Sequence, residues 1–484
     1  MYKKHLLLSY FHFINTLIIS CQFFGGINND KGIAFCELNK GIVLTGTTRS
    51  FGEGSEDIWL VKVNEDFIYQ NAIEWGSVHH DISSDIISTV DGGIVVLGYS
   101  WDAPGARTGI VLAKYDSSLS NQWTSYFSGT SNDLGYSLIQ TSDNGFLAVG
   151  IDKSVGEIGA CSVIKVNENG VLEWQQFYDT ENKDIGIDVL ELNDGSIFTL
   201  INSSSFEGKL SNSSDYLSNE ASHLMLIKSD NLGNEIWRKF YGNQKHSFGK
   251  KIISDGNGDF LIVGSSLNNT NGSFDIILRK IDPSGIVIWR KNFGGNGYEY
   301  GNNITVSPTG EILLTGYSNS FTSNLNPDLF AIKTDNNGEE VWSLNFGGEN
   351  AEYGNDGIFL EDGNIALLGT TKSTIDGNEN ILLIKTSPNG EILDTLNSSL
   401  TFNNPVPLIY PNPAFSNFNI FFGHNSSTSN FKFTMFDLNG KVVINKLFDQ
   451  ILGNVTIDHK IKSGIYLYEI NGNGLKHTGK LIIN

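Results

Sequence analysis

The segment from Phe293 to Trp342 reads FGGNGYEYGNNITVSPTGEILLTGYSNSFTSNLNPDLFAIKTDNNGEEVW and holds one complete structural unit. Two turn signals, Pro308-Thr-Gly310 and Asp335-Asn-Asn-Gly338, lie between stretches of strand-like composition. The third stretch, Asp328-Leu-Phe-Ala-Ile-Lys333, is an almost unbroken apolar run, which is typical of a strand covered on both faces. The unit is therefore predicted to be a small sheet of four short strands.

This unit recurs seven times along the chain. Its last strand is centred on Asn71, Trp123, Trp174, Trp237, Trp289, Trp342 and Asp394, at intervals of 51 to 53 residues apart from one of 63. A repeat of this length, built from four strands that neighbours cover on both faces, indicates a β-propeller. We predict an all-β fold: a seven-bladed β-propeller over residues 23–398, in which each blade is built from its own four strands.

Composition supports a turn-rich β protein, with 53 Gly and 11% aromatic residues but only 9 Pro and 3 Met. The formal net charge is −21, so nucleic acid and anionic membrane surfaces are excluded as partners by repulsion. We expect a monomer.

The N-terminus has the layout of a signal peptide, which we place at residues 1–22. Lys3-Lys4 is followed by an apolar stretch that begins at Leu6 and ends at Cys21. Lipid modification at Cys21 remains an alternative, as does a third possibility, that residues 17–24 are the fourth strand of a unit. No other stretch is long and apolar enough for a membrane span. Cys36 and Cys161 fall inside predicted strands, where we expect them to be buried and inert.

The repeat pattern ends at a short linker, residues 399–407, and residues 408–484 form a separate domain. Alternating Phe418, Ile420 and Phe422, with turns at Asn439-Gly440 and Asn471-Gly-Asn-Gly474, predict a small Ig-like β-sandwich. The segment contains four distinct motifs, which include Pro411, Asn412, Pro413, Gly440, Lys441, Gly464, Tyr466 and Lys480.

These four motifs, in this order and spacing, resemble the C-terminal sorting domain of type IX secretion cargo. The resemblance implies that the type IX machinery of Bacteroidota is a partner. It also implies that the folded cargo crosses the outer membrane to the cell surface or the medium, often with loss of the tail. The repeats are similar to those of secreted Bacteroidota propellers. They also look like the quinoprotein-type blade, in which a turn glycine precedes a docking tryptophan by four residues, as Gly233 and Trp237 do.

No motif for catalysis, a cofactor or a metal is found. Asp335-Asn-Asn-Gly-Glu339 resembles the start of a calcium loop but lacks the required Glu at its twelfth position, so we interpret it as a β-turn. His79-His80 has no acidic residue arranged around it as a metal site and is interpreted as part of a loop. A lysine closes the third strand of every unit, and sevenfold recurrence predicts a structural role, pairing with turn carboxylates or carbonyls: Lys62, Lys114, Lys165, Lys228, Lys280, Lys333 and Lys385.

Antiparallel order puts two sets of long loops on one face of the predicted ring: the inter-blade loops and those between the second and third strands. Loops on a rigid scaffold carry function. Aromatic residues of this loop face are the candidate ligand contacts: Phe51, Trp101, Tyr216, Phe274, Tyr298, Phe321 and Tyr353. The alternative is that they pack under their own loops.

The sequence favours an exported, non-catalytic propeller that binds a glycan or a protein. Two other classes remain open: a polysaccharide hydrolase or lyase with carboxylates near the ring axis, and a structural adhesin or envelope protein. Convergent acidic side chains at the axis would favour the enzyme. An aromatic shelf on the rim would favour binding.

Overall fold

The computed structural model describes residues 21–483, apart from 27, 54, 102–107, 128–130, 156–158, 181, 205–222, 243–245, 268–272, 323–324, 349, 374–376, 394–407, 411–416, 422–430, 449–453, 459–460, 463 and 473–474. All 35 regular elements of the described residues are β-strands. None of the described residues forms a helix long and apolar enough to span a membrane. Residues 1–20 of the predicted signal peptide lie outside the described residues.

Seven four-stranded antiparallel sheets follow one another along the chain, as predicted. A short strand β1 (Cys21–Phe24) comes first. The first blade contains β2 (Asp30–Leu38), β3 (Gly41–Thr48), β4 (Asp57–Val63) and β5 (Tyr69–Trp75). The second contains β6 (Asp81–Ser88), β7 (Ile94–Ser100), β8 (Gly109–Tyr115) and β9 (Asn121–Phe127). The third contains β10 (Leu134–Gln140), β11 (Phe146–Asp152), β12 (Ala160–Val166) and β13 (Leu172–Tyr178).

The remaining blades repeat this order. The fourth contains β14 (Asp184–Glu191), β15 (Ile197–Ser203), β16 (His223–Ser229) and β17 (Glu235–Tyr241). The fifth contains β18 (Ser247–Ser254), β19 (Phe260–Leu267), β20 (Phe274–Ile281) and β21 (Val287–Phe293). The sixth contains β22 (Glu299–Val306), β23 (Ile312–Ser318), β24 (Asp328–Thr334) and β25 (Glu340–Phe346). The seventh contains β26 (Glu352–Phe359), β27 (Ile365–Thr371) and β28 (Asn380–Thr386), together with β1.

Ring closure differs from the prediction. The seventh blade takes its fourth strand from the N-terminus: β1 pairs antiparallel with β28, with Cys21 opposite Ile384 and Phe24 opposite Ile381. The expectation that blade seven supplies all four of its own strands is therefore wrong, and the predicted domain boundary at residues 22–23 falls inside β1. Without β1, β28 would present an unpaired sheet edge, and the N-terminal strand covers that edge. Phe24 is fully buried in a cluster shared by blades seven and one.

Neighbouring blades share their cores. One cluster, for example, joins Leu261 and Val263 of blade five to Leu314 and Ile332 of blade six. Every residue of β24 is buried, as expected for a strand between two adjacent sheets.

The recurrent tryptophans dock on the next blade. The ring of Trp289 lies against Gly338, so close that a Cβ added to that glycine would come within 2.9 Å of the ring. The same contact recurs at Gly170 on Trp123, Gly233 on Trp174, Gly285 on Trp237 and Gly390 on Trp342. Trp342 also donates from Nε1 to the carbonyl of Pro388 at 3.1 Å. These tryptophans are half-buried rather than enclosed, since their outer edges reach solvent.

The recurrent lysines have the predicted structural role. Lys114 contacts Asp91 of its own blade's first turn at 2.5 Å, and Lys385 contacts Asp362 at 2.8 Å. Lys62 donates to the carbonyl of Ser117 in the next blade at 2.6 Å. Each ammonium thus ties the third strand to a turn.

The two cysteines that we expect to be buried differ in their exposure. Cys161 is buried and Cys36 is half-buried. Burial raises the pKa of both thiols, which lowers their reactivity at neutral pH.

The C-terminal segment contains two sheets. One has the order β29 (Leu408–Tyr410), β30 (Asn417–Phe421), β33 (Asn454–Asp458). The other has the order β32 (Val442–Phe448), β31 (Phe431–Phe436), β34 (Gly464–Gly472), β35 (Leu475–Ile483). Ile457 of the first sheet packs in one core with Phe433, Tyr468 and Ile470 of the second, so the two sheets form two layers. The Ig-like topology stays a prediction.

Candidate functional site

Both sets of long loops lie on one face of the propeller, as the antiparallel order predicts. The first residue of an inner strand donates its amide to the loop that precedes the third strand of the previous blade: Asp81 to Glu56 at 2.8 Å and Glu352 to Pro327 at 2.7 Å. The residue that follows a second strand is bonded to the same region, since the backbone amide of Trp101 donates to the carbonyl of His80 at 3.1 Å. Loops of neighbouring blades are therefore hydrogen-bonded to one another on the loop face, which forms a rim.

Aromatic rings form a connected series across blades five to seven on this rim. We call the series the aromatic shelf: Phe248, Phe274, Tyr298, Tyr300, Tyr317 and Tyr353. Phe274 stacks on Tyr300 with ring centroids 5.4 Å apart, and Tyr300 stacks on Tyr317 at 5.1 Å. Tyr353 meets Tyr317 edge-on at 5.1 Å. Tyr298 is 49% exposed, and the other rings are half-buried, so the shelf is a surface rather than a core.

The repeat explains why these rings meet. Phe248, Tyr300 and Tyr353 are each the second residue of an inner strand, directly before the glycine that starts a β-bulge. Successive blades therefore place them side by side on the loop face, where the inner strands begin. Three members of the shelf, Phe274, Tyr298 and Tyr353, are among the predicted ligand contacts. Phe248, Tyr300 and Tyr317 were not predicted, although Phe248 and Tyr300 share their repeat position with Tyr353, which was a readable signal.

Trp101 lies on the opposite part of the rim and is 48% exposed. Its ring contacts His80 at 4.7 Å between centroids. Both line a cavity of about 310 Å³ that Tyr99 and Lys153 also border. This volume is at the lower end for a small-molecule site.

An acidic residue accompanies His80 of the histidine pair as an ion-pair partner. Nδ1 of His80 lies 2.9 Å from Glu56, whose other carboxylate oxygen receives Arg49 at 2.7 Å. Burial alone would raise the pKa of Glu56, but Arg49 and His80 outweigh it and lower the pKa. Within the described residues, no group of three or more His, Cys, Asp or Glu side chains is arranged to hold a metal ion.

Three other predicted ligand residues are placed less favourably. Phe51 is buried and packs on Trp59, with ring centroids 5.1 Å apart. The prediction that Phe51 contacts a ligand is therefore wrong, and the alternative of local packing holds for this residue. Phe321 is 54% exposed but rests against Phe330 at 5.2 Å. Tyr216 lies outside the described residues.

A ring of seven side chains, six of them polar, surrounds the axis. The residue that follows the bulge of each inner strand contributes one member, and we call the set the axial ring: Ala34, Asp85, Ser137, Asp188, Lys251, Asn303 and Asp356. Each aspartate accepts the amide of a residue in the next blade: Leu138 donates to Asp85 at 2.9 Å and Ile252 to Asp188 at 2.7 Å. Phe35 donates to Asp356 at 3.1 Å, across the junction of blades seven and one.

Lys251 supplies the positive charge that opposes the three aspartates of the axial ring. Burial alone would lower its pKa, but Asp356, Asp85 and Asp188 outweigh burial and raise it. Burial raises the pKa of Asp85 to about 6, against the opposing charge of Lys251. Asp188 and Asp356 are almost fully buried. The axial carboxylates therefore connect adjacent blades, and their oxygens are engaged by amides and side chains of the ring.

The C-terminal motifs occupy turns and a core position. Gly440 has a φ of 80° in a turn closed by Asp437 and Lys441, where the Asp437 amide donates to the Lys441 carbonyl at 2.9 Å. Tyr466 is buried, and its hydroxyl donates to the Lys462 carbonyl at 2.7 Å. Gly464 is the first residue of β34, and the backbone of Lys480 pairs with Leu467. Pro411, Asn412 and Pro413 lie outside the described residues.

Comparison with known proteins identifies the tail. Residues 408–484 match the family model of the secretion system C-terminal sorting domain. No curated protein sequence matches the chain significantly.

Among solved structures, the β-propeller domain of the Trilobed protease from Pyrococcus furiosus is 10% identical and has a TM-score of 0.45. The alignment covers 83% of this chain and 100% of that one. Uncomplexed Pyrococcus horikoshii acylaminoacyl peptidase is 12% identical with a TM-score of 0.45, over 83% of this chain and 59% of that one. A thermostable family-43 glycoside hydrolase is 14% identical with a TM-score of 0.32, over 56% and 94%.

These structural similarities are too distant to inform function. The blade architecture is established by the strand pairing of the chain itself. The tail match is specific, and it agrees with the four motifs of residues 408–484. Residues 408–484 therefore belong to the family of secretion system C-terminal sorting domains, and the seven-bladed propeller before them is cargo of type IX secretion, exported to the cell surface or the extracellular space.

Proposed function

We propose that the exported propeller is a non-catalytic binding module that recognises a neutral glycan through the aromatic shelf. The observation that carries the proposal is the unbroken contact of the shelf rings from Phe274 through Tyr300 and Tyr317 to Tyr353. Partly exposed rings in a row offer flat apolar faces that stack on sugar rings, and the tyrosine hydroxyls can bond to sugar hydroxyls.

Charge narrows the class of glycan. With a net charge of −21, the protein repels uronate-rich or sulfated polysaccharides at long range, so a neutral glycan fits better. The stacking faces themselves carry no charge. Binding to such a ligand should therefore depend little on salt.

The contacts of the axial carboxylates give the polysaccharide hydrolase or lyase no support. Glycosidase chemistry needs two carboxyl groups free to reach a glycosidic bond. Asp188 and Asp356 are buried, and each accepts backbone amides. The adhesin class remains compatible with glycan binding, since attachment to a surface glycan would be its mechanism.

A glycan array with the full-length protein tests the proposal. We expect neutral oligosaccharides among the ligands and at least tenfold weaker binding after Tyr298→Ala or Tyr300→Ala. Phe177→Ala is the matched control, because Phe177 is a similarly exposed aromatic on the outermost strand of blade three, outside the aromatic shelf. Trp101→Ala reports on the separate cavity of blades two and three.

Three outcomes would contradict the proposal. The first is the absence of any glycan ligand. The second is equal loss of binding in the shelf variants and in Phe177→Ala. The third is release of shortened oligosaccharides during incubation, which would identify an enzyme.

A further inference from the structure

Pairs of buried carboxylates recur between blades on the loop face. Each pair joins an acid at or next to the start of one blade's third strand to the first residue of the next blade's inner strand. The pairs are Asp57 with Asp81, Asp275 with Glu299, and Asp328 with Glu352. At the junction of blades seven and one, an amide replaces one member, and Asn380 lies beside Asp30.

The pair between blades one and two converges on Gly76. A Cβ built on Gly76 would lie 1.9 Å from Oδ1 of Asp57 and 3.0 Å from Oδ2 of Asp81, so the two carboxylates meet over this glycine. Both aspartates are 1% exposed. Oδ2 of Asp81 accepts the amide of Ser77 at 2.7 Å, but Oδ1 of each aspartate has no hydrogen-bond donor among the described residues.

The pair between blades six and seven has the same geometry over Gly347. The position of a Cβ there lies 2.0 Å from Oδ1 of Asp328 and 2.7 Å from Oε2 of Glu352. Oδ2 of Asp328 accepts the side-chain amide of Asn345 at 2.6 Å. Oδ1 of Asp328 and the amide oxygen of Asn345 are buried, and no donor reaches either atom from the part of the chain that the structure describes.

Like charges buried together are unfavourable without a counter-charge. Between blades five and six a cation is present: Arg290 lies near Asp275. Burial lowers the pKa of the guanidinium, and the charge of Asp275 partly offsets that effect. The residues at the equivalent position of the outer strand are Ala72 in blade one and Ser343 in blade six. These two junctions lack the positive side chain that the third pair has.

We propose that the Asp57–Asp81 and Asp328–Glu352 pairs each bind a calcium ion. Two carboxylates, amide and backbone carbonyl oxygens, and water make an all-oxygen set, which suits a hard divalent cation. Irregular loop geometry favours Ca²⁺ over Mg²⁺, which demands a near-ideal octahedron. Each ion would neutralise the pair and tie two blades together at the rim. The site of blades six and seven adjoins Tyr353, so calcium would also hold one end of the aromatic shelf.

Calorimetric titration of CaCl₂ into the chelator-treated, full-length protein at pH 7.5 tests the proposal. We expect two calcium ions per chain and a higher thermal midpoint when calcium is present. Asp57→Asn and Asp328→Asn should each bind half as much calcium as the wild type. Asp335→Asn is the matched control: Asp335 accepts amides in an exposed hairpin turn, so this variant should bind calcium normally.

A stability readout separates a calcium site from ordinary structural carboxylates. Asp57→Asn removes repulsion, so it should melt no lower than the calcium-free wild type but below the calcium-loaded protein. Asp81→Asn and Glu352→Gln provide independent variants should either first variant misfold. The proposal fails if no calcium binds at pH 7.5, or if binding is unchanged in Asp57→Asn and Asp328→Asn.

Discussion

Single residues decide how closely the blades approach. Gly338 shows this most clearly, because two constraints act on it at once. Its φ of 76° is in the left-handed region, and a Cβ would meet the ring of Trp289. Only glycine satisfies both constraints without strain.

We expect Gly338→Ala to destabilise the propeller by about 2–3 kcal/mol, because it adds a collision to the backbone cost. Gly363→Ala is the control: its φ is 82°, but its Cβ would meet nothing within 4 Å. The control should lose only about 1 kcal/mol. Urea unfolding of both variants measures the difference, and equal losses would show that the tryptophan contact is unimportant.

The raised pKa of Asp57 predicts that the stability of the calcium-free protein depends on pH. Burial raises its pKa to about 7, and the charges of Asp81, Glu74 and Glu53 add to the shift. The unfolded chain releases this proton near pH 4, so between about pH 4 and 7 the folded state holds more protons. The stabilising effect of the protonated carboxyl is therefore greatest at low pH and is lost as pH rises through 7.

The measurement is the thermal midpoint of wild type minus that of Asp57→Asn, from pH 4 to 8 in a chelator. This difference should fall as the pH rises. A flat difference would mean that Asp57 titrates normally.

At the scale of elements, the outer strands of blades two to six are each attached to the next blade through one tryptophan ring. Trp289 lies in β21, whose other side chains are largely exposed, and it contacts the turn that precedes β25. Some inner strands are attached differently: an aspartate of the axial ring in blades two, four and seven accepts an amide of the next blade. The junctions that follow blades two and four are therefore held at both their inner and their outer edges.

We expect Trp289→Ala to cost about 3 kcal/mol, at the lower end of the range for tryptophan because the ring is half-buried. Blades support one another, so the damage should spread to blade six. Ile288→Ala, at a neighbouring residue that is largely exposed, should change stability by less than about 0.5 kcal/mol. Urea unfolding and hydrogen exchange test both statements. An unchanged unfolding free energy for Trp289→Ala would contradict the docking role.

At the scale of the whole molecule, closure of the ring depends on β1, which is separated from its pairing partner β28 by more than 350 residues of sequence. β1 covers the outer edge of β28, and Phe24 is buried in the core between blades seven and one. Loss of this strand would leave an unpaired edge and an open core at one position in the ring.

A chain that begins at Gly25 should therefore unfold at a markedly lower temperature than one that begins at Cys21. The single change Phe24→Ala should cost about 3–5 kcal/mol, because the side chain is fully buried. Limited proteolysis of the shortened chain should cut first within blade seven. Equal melting temperatures would show that β1 is dispensable.

Deletion of residues 408–484 should leave the propeller folded, because all seven sheets are complete by β28 with β1. Without its sorting domain, the truncated protein should accumulate in the periplasm of a type IX secreting host in a protease-resistant form. Cell fractionation measures this. Normal release into the medium, or loss of protease resistance, would contradict the prediction.

The sequence by itself determined the fold class, the blade count and the export route. Period and turn chemistry are local properties, and each repeat such as Phe293 to Trp342 carries them within about 50 residues. The tail motifs are equally local. The recurrent lysines were assigned correctly because a group that recurs in every unit belongs to the scaffold.

Only the tertiary structure decided which distant residues meet. Residues 17–24 match a fourth strand in sequence, but a fourth strand is also predicted around Asp394, and the sequence does not show which segment pairs with β28. The axial ring, the aromatic shelf and the carboxylate pairs each combine residues from different blades, and their contacts depend on ring closure. Phe51 and Phe274 looked alike in sequence, yet packing buried one against Trp59 and left the other on the rim. Local periodicity specifies strands, whereas burial and convergence depend on how seven sheets close around one axis.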